Sequence, residues 1–414
     1  MPEGWAWCRL KEVCTVFGRI GFRGYTRDDL VEKGNGAITL SPSNLINMKL
    51  DLTDCTYISW PKYEESPEIQ LDINDIVVVK TGSSYGKTSL VDNLTEKTTL
   101  NPQLMVLKER KCNSKYLCYF LNTQYMRKNF EDLVNGTAIP TFSQEKFGMK
   151  LFPLPPASEQ EKIVESIEES FSQIDILDNE KSDLQTAIKQ TKSKILDLAI
   201  HGKLVPQDPN DEPAEELLKR IATSDNRPYE KFKESEELFE VPENWSLCYL
   251  KETCTDFIVP QRDKPKAFDG TIPWCRIEDI EGKYLNGSLS NQLVSKDTIK
   301  QMNMHICPVG SVICSCSASL GIQAITTIEC CTNQTFIGIV PIESVLYNEY
   351  LFYYLKAQTK YFHEIATGTT IKYISRDKFE ELPFALPPFE EQKRIVSKIE
   401  NLFTVLDEIV LNLV

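Results

Sequence analysis

The run Gly82-Ser83-Ser84-Tyr85-Gly86-Lys87-Thr88 combines glycines, hydroxyls and a lysine, the materials of a phosphate cradle. A nucleotide-binding loop needs four residues between its glycines, and this one has three. The related stretch Cys316-Ser317-Ala318-Ser319-Leu320-Gly321 is followed by Ile322 where the first has Lys87. As a DNA-facing loop the same residues are apt, because small side chains permit close approach while Tyr85 and Lys87 reach bases or phosphates. Asn101-Pro102-Gln103-Leu104 falls short of the Asn-Pro-Pro-aromatic motif of amino-group methylation, lacking the second proline and the stacking ring. Asp92 with Glu109 and Lys111 mimics a nuclease carboxylate–lysine set, but such triplets arise often in lysine-rich loops. Thirteen cysteines form no Cys-x-x-Cys pair, and His201, His305 and His363 lie far apart. Cys314/Cys316 and Cys330/Cys331 sit in strand-like apolar runs, which makes buried thiols the expectation and zinc not. No catalytic set and no metal site is expected in this chain.

Two groups of side chains suit DNA contact. The first is Arg19, Arg23, Arg27, Lys80, Thr81, Ser83, Ser84, Tyr85 and Lys87; its arginines punctuate a glycine-containing loop, and arginine is the commonest bidentate reader of guanine. The second is Arg262, Lys264, Arg276, Ser315, Ser317, Ser319, Gln323, Lys372 and Arg376. Thr137 and Thr369 either line the same groove or close a turn. The net charge of −14 does not oppose this, because it is unevenly spread. Residues 1–156 carry 19 basic and 18 acidic side chains, whereas 157–240 carry 11 against 21. Phosphate contact depends on local basic residues, not on the global sign.

The elements that hold these loops are repeated. Pro2-Glu3-Gly4-Trp5-Ala6-Trp7-Cys8-Arg9-Leu10-Lys11-Glu12-Val13-Cys14 returns as Pro242–Cys254 with eight of thirteen positions identical. Gly136-Thr137 with Ile139, Ser143 and Phe147 returns as Gly368-Thr369 with Ile371, Ser375 and Phe379. Leu154-Pro155-Pro156 with Glu159-Gln160 returns as Leu386-Pro387-Pro388 with Glu391-Gln392. Three ordered matches at nearly constant spacing mark a tandem duplication. The interiors, 15–70 and 255–305, share no alignable pattern, so one frame carries two different surfaces.

Within each copy, Asp75–Lys80 and Gly310–Ser315 read as buried strands, each feeding one of the serine-rich loops. Strand signals resume at 104–107 and 335–340, followed by helices near 116–121 and 350–355. After Pro155-Pro156, Ser158 and Glu161 form a capping box. Ile163, Ile167, Ser170, Ile174, Leu177, Lys181, Leu184, Ile188, Thr191, Ile195 and Leu198 then follow 4-3 spacing up to Gly202, a coiled-coil seam. A helix from Ser158 to Ile200 spans roughly 64 Å. Ile395, Ile399, Leu402, Leu406, Ile409 and Leu413 repeat the phase. The two seams are natural partners for each other, and the linker at 201–240 permits a parallel or an antiparallel pair.

The Gly-Thr turn, the Leu-Pro-Pro stop and the Glu-Gln pair opening a coiled-coil helix, together with Gly202–Ala214 and the tryptophans Trp5 and Trp245, resemble the specificity subunits of Type I restriction–modification enzymes. The resemblance covers nearly the whole chain. It implies an α+β fold of two similar target recognition domains joined by long helices in an antiparallel coiled coil. The boundaries are then 1–156 for the first domain, 157–202 for the first helix, 203–240 for a linker with a short helix, 241–388 for the second domain and 389–414 for a short second helix. It further implies a non-catalytic, cytoplasmic subunit reading a split target in double-stranded DNA, one half-site per domain, with the helices setting the spacer. Two methyltransferase subunits, and motor-nuclease subunits, would dock on it and bind the S-adenosylmethionine, ATP and magnesium that this chain does not. The second helix departs from the family in being shorter than the first. The competing expectation is a coiled-coil scaffold whose globular ends bind protein partners. No apolar run approaches the length of a membrane span.

Overall fold

A computed structural model of the chain describes residues 2–19, 24–134, 139–224 and 240–413. Two compact units emerge, Met1–Asp178 and Asn179–Val414. In the first, Ile76–Val79 is buried on both faces and lies centrally in an antiparallel sheet ordered 15–18, 104–108, 76–79, 88–90. A run of β-branched residues with no polar alternation suits a strand covered on both sides. In the second unit the order 254–258, 336–341, 312–315, 323–326 repeats that plan, with Tyr284–Leu285 added in parallel at the edge. A second sheet accompanies each, of four strands in the first unit and three in the second. In both, an early strand pairs in parallel with one that follows the central hairpin: Gly36–Leu40 with Thr98–Leu100, and Ile272–Cys275 with Cys331–Thr332. The divergent interiors therefore fold to related topologies.

The matched ends of each copy meet. Ala6–Arg9 pairs antiparallel with Leu151–Leu154, and Ser246–Tyr249 with Pro383–Leu386, in one register: Cys8 faces Phe152 and Cys248 faces Phe384. The helices labelled here are α1 (Ser114–Leu121), α2 (Ala157–Ile200), α3 (Ala214–Ser224), α4 (Asn348–Ala357) and α5 (Phe389–Leu411). The amides of Glu159 and Gln160 bond to the Pro156 carbonyl, so α2 begins directly behind the Pro-Pro pair, one residue before the expected Ser158.

How each helix grips its own domain is the same in both copies. Gln160 Oε1 accepts from the Asn113 amide at 2.8 Å, and its Nε2 donates to the Pro155 carbonyl at 2.9 Å. Gln392 Oε1 accepts from the Tyr347 amide at 2.7 Å, and its Nε2 donates to Val345 and Pro387 carbonyls at 2.9 and 3.0 Å. Asn113 and Tyr347 are the N-cap residues of α1 and α4, so the same backbone donor is satisfied twice. Tyr119 meets Phe171 in one copy as Tyr353 meets Phe403 in the other, with centroids 5.9 and 6.1 Å apart. The charges differ. Lys115 on α1 pairs directly with Glu168 on α2 at 2.5 Å. In the second copy Glu349 on α4 and Glu400 on α5 are alike in sign, and Lys283 from the sheet edge bridges them. Burial alone would lower the Lys283 pKa, but hydrogen bonds to Glu400 and Glu349 raise it above the ordinary value.

In the second unit the α2 segment runs antiparallel to α5. Lys192 meets Asp407 and the Phe403 ring, while Gln207 and Asp211, further along the chain, meet Glu391 and Arg394. Ile195, Ile395 and Ile399 are buried here, Ile188 is also buried, and Leu402 and Leu406 pack at the margin of the core. Leu198 is half-buried. At the first-unit end of the seam Ile163 and Ile167 are half-buried, Ile163 against the core of its own domain. The continuous seam expected from the heptads is not filled: Ile174, Leu177, Leu184 and Ile409 are exposed, and Leu413 lies past the end of α5. The stretch after α2 carries the short helix α3, and Leu204, Val205, Ala214, Leu217 and Leu218 join the second unit's core.

Nine of the thirteen cysteines are buried and the other four are half-buried. Burial pushes the Cys118 thiol to about 12, which leaves no thiolate for chemistry. Among the described residues no group of histidine, cysteine or carboxylate could hold a metal ion, and no helix is long and apolar enough to cross a membrane.

Replacing Gln392 by alanine strands a buried amide and two carbonyls. It is expected to lower the unfolding free energy of the second unit by about 3 kcal/mol in urea titration. A change below about 0.5 kcal/mol, within the range of ordinary surface substitutions, would contradict this role.

Candidate nucleic-acid interface

Both serine-rich loops close the same hairpin of their sheets, between 76–79 and 88–90 and between 312–315 and 323–326. In the first unit the loop is tightly self-bonded: Gly86 N–H donates to Val79, Tyr85 to Gly82 and Lys87 to Ser84. Gly82 and Gly86 have φ of +107° and +81°, and a Cβ on Gly86 would lie 2.7 Å from the Phe130 ring. Glycine is required at position 86 both for the backbone and for the space.

Each loop is clasped by a segment that follows its Gly-Thr pair in sequence. Thr81 bridges Thr141, Gly82 N–H donates to Pro140, and Phe142 N–H donates to Lys80. In the second unit Ser317 bridges Tyr373, Ala318 N–H donates to Lys372, and Ile374 N–H donates to Cys316. Two stretches some sixty residues apart in sequence thus present one rim in each copy.

The expected readers divide by placement. Ser83 and Lys87 are exposed at the first loop, with Thr81, Ser84, Tyr85 and Lys80 half-buried beside them. Burial holds Lys80 below its ordinary pKa, a penalty that an arriving phosphate would offset. Arg27 is exposed on a separate turn, Arg27–Asp29. Arg23 and Thr137 lie outside the described residues. On the second rim Ser319, Lys372, Thr369 and Arg376 are exposed and Ser317 is half-buried. Arg376 is paired with Glu380 at 2.6 Å and Asp256 at 3.7 Å. Arg262 and Lys264 are exposed on the segment after strand 254–258, and Lys264 lies 5.6 Å from the Phe268 ring centroid. Arg276 is half-buried and tied to Glu278 and Ser290.

Three of the expected readers point inward. Arg19 is buried, its Nε donating to the Leu100 carbonyl at 3.1 Å and its guanidinium 5.5 Å from the Tyr25 ring. Gln323 is buried on its strand opposite Cys314, and Ser315 donates to the Ser317 carbonyl. Conversely, residues not expected from sequence belong to the rims. Tyr373 is half exposed beside Ser317, and Thr141 shares a hydroxyl hydrogen bond with Thr81 at 2.8 Å. Arg127 lines, with Lys87, Tyr85, Asn122 and Glu131, a cleft of about 390 Å³ next to the first loop. It stands forty positions beyond Lys87, and no spacing rule connects the two.

The sequence matches the family described as "Type I restriction modification DNA specificity domain" twice, over residues 2–186 and 242–411. It is 23% identical to the Type I restriction enzyme EcoAI specificity subunit of Escherichia coli, over 99% of this chain and 79% of that one. It is also 23% identical to the putative Type I restriction enzyme MjaX specificity subunit of Methanocaldococcus jannaschii, over 98% and 88%. Among solved structures, the HsdS subunit from Thermoanaerobacter tengcongensis aligns over 100% of this chain and 91% of that one, with a TM-score of 0.57 at 17% identity. A chain from a structure of complex assembly and conformational transition in a type I R-M system aligns over 100% and 93%, with a TM-score of 0.64 at 18% identity. These two likenesses concern the fold.

Gly86→Ala is expected to destabilise the first unit by about 2–4 kcal/mol in thermal unfolding, since it adds both strain and a clash. Gly34→Ala, at φ +91° with open space around it, serves as the control for strain alone, at about 1 kcal/mol. Equal effects of the two would show that loop packing on Phe130 is unimportant.

Proposed function

The chain belongs to the family of Type I restriction modification DNA specificity domains, and from this we propose that it is the non-catalytic subunit that reads a split DNA target, one half-site with each copy. The observation that carries the proposal is the pair of matched rims. One frame, repeated, holds a hairpin loop against the segment that follows a Gly-Thr pair, and the displayed side chains sit at different places on it. Ser83, Ser84, Tyr85, Lys87 and Arg127 offer hydroxyls, a ring and two cations on the first. Ser317, Ser319, Lys372, Tyr373 and Arg376 offer the same residue types on the second, but with the ring and the lysine moved from the hairpin loop to the clasping segment. Hydroxyl and ring contacts to base edges with cations on flanking phosphates are the ordinary division of labour in DNA readers.

The helices supply the ruler and the platform. At 1.5 Å per residue α2 is roughly 66 Å long, so the distance between half-sites follows from helix length and not from side-chain contact. Methyltransferase subunits acting on adenine N6, and motor-nuclease subunits, dock on this frame; S-adenosylmethionine, ATP and magnesium belong to them, and the complex works in the cytoplasm. The strong acidity of residues 157–240 keeps DNA off the linking region and on the rims.

Exchange of residues 1–156 for those of a relative, in cells that also make the methyltransferase partner, tests the reading. Methylome sequencing is expected to show one half of the split target replaced, with the other half and the spacer retained. An unchanged methylation pattern with altered partner binding would instead support a scaffold of protein-binding ends.

A further inference from the structure

Backbone bonds match the two rims residue by residue, and at two matched places the side chains behave oppositely. The Lys80 amide donates to the Gln103 carbonyl as the Cys316 amide does to Thr335, and the Lys80 and Cys316 carbonyls accept from the Phe142 and Ile374 amides. Ser143 and Ser375 likewise stand at the N-caps of the short helices Gln144–Gly148 and Arg376–Glu380, so Gln144 occupies the place of Arg376. In the second copy both places are satisfied within the protein. Cys316 Sγ donates to the Thr335 carbonyl at 3.4 Å, and Arg376 pairs with Glu380 and Asp256.

In the first copy neither is satisfied. Lys80 is half-buried at the foot of the hairpin loop, and among the described residues its ammonium has neither an ion pair nor a hydrogen bond. Gln144 is half-buried too, with no hydrogen bond to its carboxamide among the described residues. Both side chains reach the end of strand 15–18, where Gly18 leaves room for them: a Cβ there would collide with the Gln144 amide nitrogen and lie 3.3 Å from Lys80 Nζ. Two donors thus converge over one glycine without an acceptor. Burial holds the ammonium below its ordinary pKa, and no carboxylate opposes it. A recessed cation without a counter-charge is costly until a ligand supplies one.

Shape and charge decide what fits. Base edges lie at the floor of a groove and are met by protruding side chains. Phosphate oxygens stand outermost on the duplex and can enter a recess, where a charged donor bonds an anionic oxygen more strongly than a neutral group. We propose that Lys80 and Gln144, over Gly18, form a recessed clamp for one backbone phosphate of the DNA, present in the first copy and absent from the second. The clamp rests on the DNA reading proposed above and adds an inequality to it. Phosphate contacts fix register and orientation, so the first copy carries an anchor for the duplex that the second lacks.

The test uses the full chain assembled with its methyltransferase partner, and reads the anisotropy of a fluorescein-labelled duplex carrying its methylated site across a salt series. Lys80→Met is expected to weaken binding roughly tenfold and to lower the slope of log affinity against log salt by about one. Gln144→Ala should weaken binding about threefold with the slope kept, because a carboxamide carries no charge. Cys316→Ser should change neither. The thermal unfolding midpoint of Lys80→Met should equal or exceed that of the parent chain, since no ion pair is lost. An unchanged slope in Lys80→Met, or a fall in its midpoint, would overturn the clamp. So would methylome sequencing in which Lys80→Met alters a base of the target, because Lys80 would then be a base reader. A parent complex that binds its site and an unrelated duplex alike would sink the DNA reading, and the clamp with it.

Discussion

In each copy one buried glutamine amide ties the globular domain to the helix that leaves it, and the remaining architecture is arranged around that tie. Gln160 and Gln392 each satisfy the N-cap amide of a domain helix and a carbonyl of the Pro-Pro stop. A buried amide with every group paired permits one geometry and penalises the others, because a rotated helix would strand polar groups in the core. The loops can then diverge freely without changing the direction in which each domain holds its rim.

Charge is handled more loosely than shape. The domain–helix contact uses a direct Lys115–Glu168 pair in one copy and the Lys283 bridge between two glutamates in the other. The aromatic contact beneath, Tyr119 on Phe171 or Tyr353 on Phe403, is unchanged. Partly exposed ion pairs contribute little and can be rebuilt from different residues, whereas a packed ring constrains its neighbours in volume. The same contrast separates frame from rim: packing is repeated and polar display is varied.

Much of this was legible in the residues. The strands at 76–79 and 312–315 announce themselves by β-branched runs, and α2 by its heptads and the absence of Gly or Pro before Gly202. The pairing of chain ends follows from the repeat itself. What sequence could not show was which way side chains face once the chain folds. Arg19 and Gln323 are polar residues near reading loops, and tertiary packing turns both inward, where a carbonyl and a ring meet the arginine. Arg127 reaches the first rim only through the packing of Phe130 under Gly86. Heptad spacing likewise marks Ile174, Leu177 and Leu184 as a seam without revealing that they stand exposed.

The central claim is that two rims of one design contact different bases. Photo-crosslinking addresses it directly, with benzoylphenylalanine placed at position 83 or at position 319 in the complex assembled with its methyltransferase partner on its own methylated site. Crosslinks from position 83 should map to one cluster of bases and those from position 319 to a second, with an uncrosslinked spacer between them. Crosslinking of both positions to the same bases, or to protein alone, would contradict the account.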